Sequence, residues 1–156
     1  FQLWQHEKGL RMSVQEIKEE RKESEGNPLV KQRLRTMGRS MSRNRMIQSV
    51  AEADVVVTNP THIAVALQYG PSVSAAPVVV ARGQRKIAAR IKALAFESGV
   101  PVIEDKPLAW ALYDNVRVGT VIPADLYKAV AEVLAFVFRQ RQRSRSHVYD
   151  IGRIDA

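Results

Sequence analysis

Asp54-Val55-Val56-Val57-Thr58-Asn59-Pro60-Thr61-His62-Ile63-Ala64-Val65-Ala66-Leu67 decides the fold. Val55 to Val57 is a β-branched run and reads as a buried strand. Ile63, Val65 and Leu67 recur with a period of two, which places small Ala64 and Ala66 on the opposite face of a second strand. Between the runs, Asn-Pro is a turn-initiating pair: Pro presets its own φ, and Asn can bond back onto the backbone. The expected local structure is a hairpin-like turn with Pro60 at its second position.

The same turn carries chemistry. An Asn side-chain amide can attack its own main-chain carbonyl carbon, forming a five-membered succinimide and expelling the following amine. The usual competitor is deamidation, in which the next backbone nitrogen attacks the Asn side chain. Pro60 has no N–H, so that route is closed. Turn strain can also twist the tertiary amide and weaken its resonance. His62 lies two residues past the bond, and an imidazole can take or relay a proton near neutral pH. The competing reading is an ordinary polar turn, since short motifs match by chance often.

The neighbouring residues bear on that choice. The run Val55 to Leu67 around Asn59-Pro60-Thr61-His62 resembles the cytoplasmic domain of the export-switch family of bacterial type III secretion, whose branches are the flagellar FlhB and injectisome YscU proteins. The resemblance continues in Gly26-Asn27-Pro28, in Ala76-Pro77-Val78-Val79-Val80-Ala81-Arg82-Gly83, in Gly99 to Ala109 and in Ile122 to Leu134. The flagellar branch looks closer. The resemblance implies one self-cleavage at Asn59–Pro60, with Asn59, Pro60, Thr61 and His62 as the site, and a switch in the class of exported substrate. It implies a membrane-spanning part upstream and a location on the cytoplasmic face of the bacterial inner membrane. Its implied partners are other export-gate membrane proteins, the hook-length control protein and secreted subunits. It also suggests an apolar recess for export signals at Ala76, Pro77, Ala131 and Leu134, where plain core packing is the alternative.

Composition bounds the rest. The 156 residues suffice for one domain with a core. The chain has no Cys, and its three His at 6, 62 and 147 have no ligand spacing, so no disulfide, thiol nucleophile, metal or cofactor is expected. No apolar run reaches transmembrane length. A chain that opens on Phe reads as a fragment or a processed product. A formal charge of +8 is compatible with nucleic acid, an anionic membrane surface or acidic partners.

The N-terminal part reads as helical. Phe1, Leu3 and Trp4 lie among basic residues, which suits a membrane interface or a frayed end. Ser13-Val14-Gln15-Glu16 has the capping-box pattern ahead of a polar, charge-laced helix to about Glu25. Gly26 ends that helix; Asn27 and Pro28 open another, as N-cap and first helical residue. Lys31, Arg33, Arg35, Arg39, Arg43 and Arg45 lie on it with no acid between. They are expected on the membrane-proximal side, either meeting an anionic leaflet or forming a solvated face.

After the central turn, Tyr69 to Pro77 reads as loop and Val78-Val79-Val80 as a third strand ending at Gly83. Lys86 to Glu97 is a helix capped by Gly99, and Val100 to Ile103 a fourth strand reached by a right-handed parallel crossover. A short helix covers Leu108 to Tyr113. Val116 to Ile122 is ambiguous. The last helix starts at Pro123 and Asp125 and turns Leu126, Val130, Val133, Leu134 and Val137 to the core. Arg139 to Arg145 reads as a solvated, disordered basic tail.

The fold class is therefore α/β: a small mixed four-stranded sheet flanked by helices, with an N-terminal helical linker. The divisions are 1–49 for the linker, 50–140 for the self-cleaving domain and 141–156 for the tail. An export switch that cuts itself once is not a turnover enzyme. The alternative is a basic nucleic-acid-binding module with an uncleaved Asn-Pro turn. Against it, the basic run lacks aromatic interleaving and a groove-reading motif, so no nucleic acid is expected. A conventional hydrolase ranks below both, with no Gly-x-Ser-x-Gly motif or Gly-rich phosphate loop.

Overall fold

A computed structural model describes the backbone of residues 14–23 and 26–151, with side chains as far as Arg145. The chain forms two compact units, Phe1–Arg43 and Asn44–Ala156. The division falls a few residues before the boundary expected at 49/50, because Ile47 and Val50 are already core residues of the second unit.

In the first unit, residues 14–23 are helical. The capping residue Ser13, the aromatic opening and Glu25 lie outside the described residues. Gly26 takes φ +72°, and the Asn27 side chain accepts a hydrogen bond from the Leu29 N–H at 3.0 Å. The second is the N-cap read from the sequence, and the first is the left-handed conformation that a glycine helix stop takes. Helix α1 runs from Pro28 to Gln48 and continues into the second unit. Its apolar residues Val30, Leu34, Met37 and Met41 are exposed.

The second unit is built on one sheet. After a 3₁₀ turn, Ser49–Glu52, come β1 (Val55–Asn59), β2 (Ile63–Gly70) and β3 (Ser74–Gln84). Helix α2 (Lys86–Glu97), β4 (Val102–Glu104), α3 (Lys106–Asn115), a 3₁₀ turn at Ala124–Leu126 and α4 (Tyr127–Ile151) follow. The strand order is β3-β2-β1-β4. β1 pairs antiparallel with β2 and parallel with β4, and β2 pairs antiparallel with β3.

The period-two pattern sets the two layers. Val55, Val57, Ile63, Val65 and Leu67 meet Leu108, Leu112, Val130, Leu134 and Val137 of α3 and α4 on one face. Val56, Ala64 and Ala66 meet Ala88, Ile91 and Ala95 of α2, with Ile47 and Val50, on the other. Small residues on this second face let α2 approach closely. Gly83 belongs to that approach: a Cβ there would stand 2.1 Å from the Ile87 Cγ2. Each fully buried Ile, Leu or Val contributes about 1.5–3 kcal/mol.

Several sequence expectations change. Tyr69 to Pro77 is not a long loop: β2 reaches Gly70 and β3 starts at Ser74. Register shifts at Ala66/Leu67 and Gln68/Gly70 absorb the small, turn-prone residues. Pro77 is tolerated because β3 is an edge strand. The third strand passes Gly83 to end at Gln84, and the fourth starts at Val102, not Val100. β4 runs parallel to β3 in the same sheet, in keeping with the expected parallel crossover, with β2 and β1 between them. Residues 116–122 form no strand. They follow the outer edge of β3, with the Ile122 N–H on the Pro77 carbonyl at 3.0 Å and the Gly119 N–H on that of Val79 at 2.7 Å. That contact covers an otherwise open edge. Residues 139–145, expected to be disordered, continue α4 as helix. Arg and Gln are good helix formers, and Arg141 is held by Asp54.

Candidate functional site: the Asn59–His62 turn

The turn joins the two central strands. Asn59 ends β1 and faces Ile63, the first residue of β2. The His62 N–H donates to the Asn59 carbonyl at 3.0 Å, which closes a four-residue turn with Pro60 second, as the sequence implied. Asn59 and Pro60 are half-buried, while Thr61 and His62 are exposed. The Thr61 Oγ1 lies 2.6 Å from the His62 Nδ1, so that ring nitrogen is engaged and Nε2 is the other.

The surrounding fold holds this turn by its carbonyl oxygens. The Lys92 ammonium, from the middle of α2, donates to the Pro60 carbonyl. The Arg85 N–H donates to the His62 carbonyl at 2.9 Å. The hydroxyl of Thr58, itself only 4% exposed, donates to the Ile63 carbonyl at 2.7 Å. The Asp105 N–H reaches the Thr58 carbonyl at 3.1 Å. Arg85 takes a left-handed φ of +50°, which costs a non-glycine residue energy, and its backbone contact to His62 goes with that conformation.

The carbonyl of Asn59 is thus polarised by a backbone donor. The carbonyl one residue on is gripped by a cation, and the strands on either side are locked in register. That arrangement can hold a peptide bond still while its own side chain approaches. Sequence reasoning missed Thr58, Arg85 and Lys92. Thr58 carried a weak signal, as the one hydroxyl in a buried apolar run. Arg85 and Lys92 carried none, because their contacts exist only once α2 packs on the sheet.

The second set of expected residues also comes together. Ala76, Pro77, Ala131 and Leu134 line one open recess of about 350 Å³, with Tyr69, Tyr127, Ala135 and Phe138 completing its wall. Leu134 is 4% exposed and belongs to the core as well, so both readings of it describe the same side chain. The recess lies at the far end of β2 from the turn, about 20 Å away at the rise of a strand. Beside it, Asp54 accepts the Tyr69 N–H at 2.8 Å and pairs with Arg141 at 3.3 Å.

The six basic residues lie on α1. Lys31, Arg33, Arg35, Arg39, Arg43 and Arg45 are all exposed on α1. By helical periodicity Lys31, Arg35, Arg39 and Arg43 share one face and Arg33 points away from it. Among the described residues there is no cluster fit to hold a metal, and no helix long and apolar enough to cross a membrane.

Comparison with known proteins now bears on the chain as a whole. A family model described as the FlhB HrpN YscU SpaS family matches residues 1–137. The chain belongs to that family. The flagellar biosynthetic protein FlhB of Salmonella typhimurium is 51% identical over 142 residues, which is 91% of this chain but 37% of that protein. The chain therefore spans little more than a third of such relatives. Among solved structures, the cytoplasmic domain of FlhB from Shewanella putrefaciens aligns with a TM-score of 0.64 at 40% identity, covering 67% of this chain and 80% of that one. An Asn-to-Ala variant of the EscU C-terminal domain aligns with a TM-score of 0.57 at 35% identity, covering 59% and 92%. The mixed sheet with flanking helices is thus the fold of this family's cytoplasmic domains, and the flagellar branch is the nearer one.

Proposed function

We propose that this chain is the cytoplasmic part of a type III export component that cuts itself once between Asn59 and Pro60 and thereby switches the class of substrate exported. One observation carries the reading. A side chain able to attack its own carbonyl without outside help stands first in a proline turn, and that carbonyl accepts the His62 N–H at 3.0 Å.

The step balances without a co-reactant. The Asn59 side-chain nitrogen bonds to the Asn59 carbonyl carbon and gives up a proton. The negative charge that builds on the carbonyl oxygen is met by the His62 N–H, as in an oxyanion hole. The carbon–nitrogen bond to Pro60 then breaks, and the Pro60 nitrogen takes a proton and leaves as a secondary amine. His62, through Nε2, or water carries the proton between the two nitrogens. Water later opens the succinimide. Attacker and target share one residue, so their effective concentration is high. No cofactor enters, and one event per molecule is not turnover.

Mass spectrometry tests the reading. The expected products are a fragment that begins at Pro60 and a fragment that ends at Asn59, the latter partly one water lighter as the succinimide. Fragments with any other new end would contradict the mechanism.

The same reading gives the recess to export signals of secreted subunits. Its apolar wall and open mouth support this. Ala76→Asp should leave the fold intact and impair export; a folded variant that exports filament-type and hook-type subunits at normal rates would remove the recess from the account. The basic face of α1 is proposed to meet an anionic membrane surface, at about 1 kcal/mol per basic residue. Liposome co-sedimentation should weaken with salt and with charge reversal at Arg35 and Arg39; no binding at low salt would end that idea. Other export-gate proteins and the hook-length control protein are the partners this role requires, and pull-down with the recess variant as control would test them.

A further inference from the structure

We propose that Lys92 is a positioning residue for the cut, acting by gripping the leaving group. The inference rests on the cleavage reading above and adds to it a residue that no motif contains.

Lys92 sits in the middle of α2, one position after Ile91, which is fully buried against the sheet. Its stem is half-buried and its ammonium donates to the Pro60 carbonyl oxygen, 32 residues away in sequence. The packing of α2 does not need this charge: Ala88, Ile91 and Ala95 make the helix–sheet contact. The other basic residues of the helix, Lys86 and Arg90, are exposed, and no hydrogen bond ties either to the turn. Of the basic residues on this helix, Lys92 is the one whose side chain is hydrogen-bonded to the turn.

Two consequences follow for the reaction. Pro60 is the residue that departs, and its nitrogen must change from a planar amide to a pyramidal amine as the bond breaks. With its carbonyl anchored to α2 and the His62 carbonyl anchored to the Arg85 N–H, the turn cannot swing after the attacked carbon. The approach of the Asn59 nitrogen is then used to deform the scissile bond and not to displace the loop. A cation one peptide unit from the attacked carbonyl also favours the anionic tetrahedral intermediate over the neutral ground state. Both Lys92 and Pro60 belong to the C-terminal product, so the grip survives the cut.

The test is a rate. The 156-residue chain is made by cell-free synthesis, chased at neutral pH, and the intact fraction is followed on denaturing gels. The parent, Lys92→Met, Lys92→Gln and Lys92→Arg are compared. Thermal midpoints are measured with Asn59→Ala present in each, so that stability is read without cleavage. A charged hydrogen bond is at stake, so Lys92→Met should slow the cut by about tenfold or more. Lys92→Arg should recover most of the rate and Lys92→Gln little, with midpoints alike. Parental cleavage by Lys92→Met would overturn the inference while leaving the cleavage reading standing. So would equal slowing by Met and Arg, or slowing that merely tracks lost stability. A parent that never cleaves would overturn the cleavage reading itself, and this inference with it.

Discussion

Two turns of the same sheet have the same backbone design and different chemistry. The first, Asn59-Pro60-Thr61-His62, closes with the His62 N–H on the Asn59 carbonyl at 3.0 Å. The second, Gly70-Pro71-Ser72-Val73, closes with the Val73 N–H on the Gly70 carbonyl at 2.9 Å. Each places a proline second, which blocks the backbone attack that leads to deamidation. They differ at the first residue, where Asn59 offers a nucleophile and Gly70 offers no side chain. They differ again in their surroundings. The first is held through the Pro60 and His62 carbonyls by Lys92 and Arg85, whereas residues 71–73 are exposed. A proline turn closed by a hydrogen bond is therefore not by itself the reactive unit we propose, which is that turn plus an asparagine plus an external grip.

The largest effect tests the nucleophile. Asn59→Ala should abolish the cut completely, with thermal stability changed by no more than about 0.5–1 kcal/mol because the residue is only half-buried. Any residual scission at that bond would move the nucleophile elsewhere. The next experiment tests the grip by giving the second turn the same first residue. A Cβ at Gly70 meets nothing within 4 Å, so Gly70→Asn should fold. It should stay intact before Pro71 over the time in which the first turn is fully cut. Comparable cleavage at both turns would mean that an Asn-Pro turn suffices and that Lys92 and Arg85 are incidental. The smallest effect tests the strand beneath the turn. Thr58→Val leaves the Ile63 carbonyl without its buried donor, which should lower stability by about 1–2 kcal/mol in urea unfolding. The cut should slow less than with Lys92→Met; an equal loss would place the control in the strands and not in the grip.

The central hairpin was legible because its period-two pattern states both strands, both faces and the position of the turn. The helix ends at Gly26-Asn27-Pro28 and Gly99 were legible for a similar reason: each is a local device. At Gly99 the Val100 N–H reaches back to the Ala95 carbonyl at 2.8 Å, a closure that needs only a left-handed residue. The length of β3 was not legible, because the turn propensity of Gly70, Pro71 and Ser72 is confined to one tight turn, and the β2–β3 pairing takes in Ser74 to Pro77 beyond it. The helical state of residues 139–145 was hidden by their charge, which says where they can be solvated and not how they are folded. Of the site, the four-residue turn could be read directly. Ala76, Pro77, Ala131 and Leu134 were joined through family resemblance, since nothing in their spacing brings β3 and α4 together. Lys92 and Arg85 could not be read at all, because a grip across 32 residues is a property of the packed helix.

The central claim is that a self-made cut leaves one folded body. A cut at Asn59–Pro60 would leave β1 in the N-terminal product and its neighbours β2 and β4 in the C-terminal one. β1 is bonded on both edges and covered on both faces. The direct measurement runs the purified chain twice, by size-exclusion chromatography in native buffer and by denaturing gel. The account predicts one native peak that resolves under denaturation into two bands of about 6.6 and 10.9 kDa, in proportion to 59 and 97 residues of a 156-residue, 17.5 kDa chain. A single intact band after long incubation at neutral pH, or two products that separate in native buffer, would contradict it.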